Sequence, residues 1–75
     1  MRHVITVLPA ADGWQVVAPS VEPALFQRGG QAEQCARRLA GRLARSGVAV
    51  DVEIYLRDGR LGARLRYDAP ALEPA

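Results

Sequence analysis

Apolar and polar positions alternate most regularly in the C-terminal third of the chain. In VAVDVEIYLR, residues 48–57, Val48, Val50, Val52, Ile54 and Leu56 fall on one side, with Asp51, Glu53 and Tyr55 on the other. In RLGARLRY, residues 60–67, Leu61, Ala63, Leu65 and Tyr67 alternate with Gly62, Arg64 and Arg66. A period of two is the signature of a strand with one buried face. Asp58-Gly59 between the runs is a strong short hairpin signal. A two-residue turn there sets Leu56 against Leu61, Ile54 against Ala63, Val52 against Leu65 and Val50 against Tyr67. The other face then pairs Glu53 with Arg64 and Asp51 with Arg66, while Tyr55 covers Gly62. A slip of one residue would set leucine against arginine, so apolar and charged patterns select the same register.

The rest of the chain is read the same way. RHVITVL, residues 2–8, and WQVVA, residues 14–18, are β-branched and apolar and predict two strands, joined through the five residues PAADG. ALFQ, residues 24–27, is either a short edge strand or a loop that plugs the core with Phe26. In QAEQCARRLAGRLARSG, residues 31–47, Ala32, Cys35, Ala36, Leu39 and Leu43 recur at helical spacing, with Ala40 at the margin of the stripe. Gly47 stands where a left-handed C-terminal cap is wanted, and no Ser, Thr, Asp or Asn caps the start. The elements predict an α+β fold, a single antiparallel β-sheet in the order β-β-(β)-α-β-β with one helix packed on one face. Residues 1–67 form the domain and residues 68–75, with two prolines, a flexible C-terminal tail.

Length changes the picture. A chain of 75 residues holds one domain, and at about this size only roughly 60% of the unfolded surface is buried. Such domains commonly need a staple. Cys35 is the single cysteine, so no internal disulfide can form, and a lone thiol suits a reducing, cytoplasmic setting. His3 and Cys35 are the only soft ligands, so no metal and no cofactor are expected. Self-association remains as the staple. The N-terminus lacks the apolar run of a secretory signal, and no stretch approaches a membrane span.

The net charge is +2, and all ten basic residues are arginine. That usage fits a GC-rich coding sequence, and so small a charge does not by itself imply nucleic acid.

Catalytic chemistry finds little footing. RGGQAE opens the helix with two glycines but lacks the Gly-Lys-Ser/Thr ending of a nucleotide loop. Cys35 on the apolar stripe reads as core filler. Asp51 and Glu53 share a strand face but have arginines opposite, which reads as salt-bridged structure. Trp14 reads as partly buried scaffold. Arg57 and Arg60 sit together at the hairpin mouth as splayed, solvated side chains. No catalytic residue is expected, and no enzyme.

Two surfaces remain. Arg38, Arg42 and Arg45 share one helix face, either a simply solvated surface or a possible anion or nucleic-acid surface. Arg64 and Arg66 project from the opposite side of the sheet, so a continuous basic stripe is not expected. One helix covers only one sheet face. Val4, Thr6, Leu8 and Val17 are therefore left uncovered, a possible interface for a homodimer; pairing through strand edges is equally open. The leading expectation is a non-catalytic module acting through self-association, with phosphate or nucleic-acid binding by the helix arginines as the alternative.

The order of short motifs resembles a family of small bacterial proteins, the domain of unknown function 2188. Gly13–Val16 (GWQV), Phe26, Gln31–Glu33 (QAE), Ala36–Ala40 (ARRLA) and Arg57–Arg60 (RDGR) carry the resemblance, over about residues 4–61. The helix start lacks the usual Ser/Thr-Lys, and the strand after Asp-Gly is longer than the family pattern. The resemblance implies the same small α+β fold and brings no activity or catalytic residue.

Overall fold

A computed structural model describes residues 2–69. Its elements are β1 (His3–Ala10), β2 (Gly13–Ala18), β3 (Val21–Phe26), α1 (Gly29–Arg45), β4 (Val50–Tyr55) and β5 (Leu61–Tyr67). They form one five-stranded sheet in the order β3-β2-β1-β4-β5 with α1 across one face. Residues 24–27, left open between strand and loop, fall mainly within the edge strand β3. Most of the predicted tail, residues 70–75, lies outside the described residues.

Three of the four strand pairings are antiparallel, as expected of neighbours joined by tight turns; the central pair, β1 with β4, is parallel. Its cause is the helix. A parallel neighbour needs a long crossover, and the helix crosses back over the sheet so that β4 enters beside β1 in the same direction. The β1–β2 connection is shorter than predicted. Ala10 pairs with Gly13, so only Ala11 and Asp12 turn the chain, and Pro9 lies within β1 opposite Trp14.

The core is one layer deep. Ile5, Val7, Val16, Val50 and Val52 of the sheet meet Ala32, Ala36 and Ala40 of the helix, all essentially inaccessible to water. Ala40 is central here, not marginal, and Ala44 is buried too. Cys35, Leu39 and Leu43 pack at the flank. The division follows from volume. The sheet supplies the branched bulk, so the smallest helix residues take the closest approach. The C-terminus of α1 is closed as its sequence predicts. Gly47 adopts φ 100°, its N–H reaches the Ala44 carbonyl at 3.0 Å, and the Val48 N–H reaches Leu43 at 2.9 Å.

The β4–β5 hairpin keeps the predicted register from Val50–Tyr67 through Ile54–Ala63. Its tip differs. The Gly59 N–H bonds to the Leu56 carbonyl and the Leu56 N–H to the Arg60 carbonyl, giving a three-residue loop, Arg57–Gly59, with Gly59 at φ 88°. Tyr55 then pairs with Leu61, and Gly62 is bulged out between the two registers. The extra loop residue and the bulge cancel. A Cβ at Gly62 would stand 2.7 Å from Leu56 Cδ2, so the leucine occupies the space the missing side chain leaves.

Candidate functional surfaces

The two candidate surfaces lie back to back. Ile5 and Val7 point into the helix–sheet layer, so by strand alternation Val4, Thr6 and Leu8 point the other way. Thr6 pairs with Val17, Leu8 with Gln15, and Gln15 with Leu25 of the edge strand. All four predicted interface residues thus come together on the bare sheet face. Leu25 joins them and is, among the described residues, the most exposed large apolar side chain at 74%, with Val4 at 41%. Leu25 was missed because residues 24–27 had no assigned strand, hence no assigned face.

The other half of this face is charged, and its charges satisfy one another. Arg2 donates from Nη2 to Asp51 Oδ1 at 2.7 Å and from Nη1 to Asp68 Oδ1 at 2.7 Å. Arg66 donates to the same Asp68 oxygen at 3.0 Å. Arg64 donates to Glu53 at 2.9 Å, as its register predicts. Asp51, however, is held by Arg2 rather than by Arg66, its neighbour across the strands. Arg2 reaches Asp51 because β1 runs parallel beside β4, a pairing no local pattern announces. Asp68, placed by sequence in the tail, belongs to the folded unit through these bonds.

The electrostatics follow the geometry. Hydrogen bonds from Arg2 hold the Asp51 carboxyl below its ordinary range. Arg2, then Arg66, do the same for Asp68. The Arg2 guanidinium is raised in return, chiefly by Asp51. The Tyr55 hydroxyl donates to Glu53 at 3.1 Å, and that bond pushes its pKa up.

The hairpin-mouth arginines are occupied as well. Arg57 lies 4.7 Å over the Trp14 ring and donates to the Ala10 carbonyl at 2.9 Å. Arg60 pairs with Asp58 at 2.9 Å. They do not form an anion site. Trp14 is half-buried, packed against the core on one side and capped by Arg57 on the other.

On α1 the pattern reverses. Arg38, Arg42 and Arg45 are exposed, and among the described residues none has an ion-pair partner. Only Arg37 is paired, with Glu33 at 2.9 Å. The three arginines line an open groove of about 460 Å³ together with Cys35, Arg37 and Gly41. Cys35 therefore borders this groove instead of sitting at the centre of the core.

Among the described residues no cluster of His, Cys, Asp and Glu could hold a metal ion, and no helix is long and apolar enough to cross a membrane. No protein-family model matches the chain, and no curated protein or solved structure matches it at a significant level. The likeness to the domain of unknown function 2188 rests on motif order alone.

Proposed function

We propose that the protein is a small non-catalytic module that acts through self-association, two copies packing bare sheet face on bare sheet face. One observation carries this reading. Val4, Thr6, Leu8, Val17 and Leu25 adjoin on a face that no element among the described residues covers, while the arginines and carboxylates beside them are already paired within the chain. A second copy would bury apolar surface without bringing unneutralised like charges together.

The strand edges favour this route over edge pairing. β3 carries Pro23, which has no N–H to offer, and its register shifts between Val16 and Ala18. β5 carries the Gly62 bulge and outward arginines. Both are devices that blunt an edge. A two-fold axis through the bare face would leave both helices outermost. Cytoplasmic residence and kinship with the family named above belong to the same proposal.

Sedimentation velocity from low micromolar to about 100 μM, a span that brackets a micromolar dissociation constant, tests it. A dimer is expected, and Val17→Asp with Leu25→Asp should return a folded monomer. A compact monomer throughout the range would overturn the reading.

A further inference from the structure

We propose that the outer face of α1 binds the phosphate backbone of double-stranded nucleic acid without reading its sequence. The inference does not depend on the sheet-face dimer.

It begins with how the arginines are distributed. Arg2, Arg60, Arg64 and Arg66 each hold a carboxylate, and Arg57 caps Trp14. Arg28, Arg38, Arg42 and Arg45, all on α1 or at its start, have none among the described residues. Helix physics accounts for only part of this set. Arg42 and Arg45 lie in the last turn, where cations complement the negative end of the dipole. Arg38 is mid-helix. Arg28 is the N-cap residue, where positive charge is disfavoured, and it makes no side-chain cap. Arg38 and Arg42, four residues apart, and Arg42 and Arg45, three apart, also repel one another. An anion would relieve that repulsion.

The face is shaped for a long anion rather than a small one. Gln31, Gln34, Arg38, Arg42 and Arg45 form one stripe opposite the buried Ala32, Ala36 and Ala40, and all five are exposed. Gln27, Gln31, Gln34 and Arg38, with Leu25 and Phe26 of β3, line a second groove of about 440 Å³. At a rise of 1.5 Å per residue the stripe runs about 21 Å, well over the ~12 Å width of a duplex major groove. Gly41 sets no side chain between the arginines, so the floor of the groove stays open to a phosphate. The stripe itself carries only amides and guanidinium donors, with the Cys35 thiol at its border. Leu25 and Phe26 stand at one end, against β3, and no aromatic or large apolar side chain lines the groove between the arginines. That leaves little to stack a run of unpaired bases or to enter a bilayer. What is left is the regular, base-independent charge of a duplex.

The test is a fluorescent 20-base-pair duplex titrated by anisotropy from 50 to 200 mM salt, against Arg38→Gln/Arg42→Gln/Arg45→Gln. The unmodified chain should bind, losing affinity with a log–log slope of about −3 if three phosphates are engaged. The triple variant should bind at least about tenfold more weakly, with a slope shallower by about 2 or more. Arg38→Glu alone, one exposed change in mid-helix, should cost about tenfold and decides the matter should the triple variant not fold. Arg60→Ala, at the remote hairpin tip, should stay within about twofold. No binding at 50 mM salt, a flat salt response, or equal binding by folded variants would overturn the proposal. So would tighter binding to phosphatidylserine vesicles or to single strands than to the duplex.

Discussion

The two faces of this molecule hold comparable numbers of arginines and treat them differently. On the sheet face Arg2, Arg64 and Arg66 are spent on Asp51, Glu53 and Asp68. On the helix face Arg38, Arg42 and Arg45 meet no acid among the described residues. Composition alone cannot tell these uses apart. Neighbours across the sheet decide the first, and the lack of acidic residues one turn away on α1 leaves the second. A face with internal neutrality suits apolar contact. A face with unopposed charge suits an anion.

The sharpest way to break the contrast is to separate the layers. Ala36→Leu places a large side chain at the closest helix–sheet approach, where Ala36 is fully buried. Overpacking there should cost about 1–3 kcal/mol in urea unfolding and weaken both surfaces together. Exposed Gln34→Leu, by contrast, should change stability by less than about 0.5 kcal/mol. A mild result at Ala36 would mean that the layer is looser than drawn.

Acid should act chiefly on the sheet face. The Asp51 and Asp68 carboxyls titrate below their ordinary range because Arg2 donates to them. Their contribution to stability is therefore complete above the unfolded pKa, near 4, and is lost as pH falls through the lower folded values. The melting temperature should drop below pH 4, and Arg2→Ala should flatten that drop while lowering the melting temperature at neutral pH. An Arg2→Ala curve parallel to the parent would show that the network is ornamental.

The smallest effect sharpens the helix side. Glu33→Gln frees Arg37, its partner at i+4. Loss of such an exposed pair should cost only about 0.3–0.5 kcal/mol, while duplex affinity should rise by up to about tenfold, as one further phosphate contact allows. A fall in affinity would place Glu33 in the binding surface itself.

How much of this is legible in the residues depends on how far apart the partners lie in the chain. The β4–β5 register is, because apolar and charged pairs nine to seventeen residues apart agree on it. Val4, Thr6 and Leu8 fall on one face by alternation alone, and Val17 joins them through its pairing with Thr6. The helix stripe is legible in its limits but not its centre. Pattern gives leucine and alanine equal standing, whereas packing prefers the smaller residue at the seam. The bond from Arg2 to Asp51 crosses 49 residues and exists only because β1 and β4 run parallel. Nothing local points to that, and the unpaired state of the helix arginines could be known only once the other arginines had been placed against their acids or, for Arg57, against Trp14.

The hairpin tip carries a consequence for how this protein can vary in length. Deleting Gly62 would close the bulge, and deleting one of residues 57–59 would shorten the loop to two; either change leaves Ile54 opposite Ala63 and Val52 opposite Leu65. Deleting a paired residue, such as Arg64, has no such outlet and would turn the strand beyond it by half a period. Single losses should therefore survive at the tip and not within the paired strand.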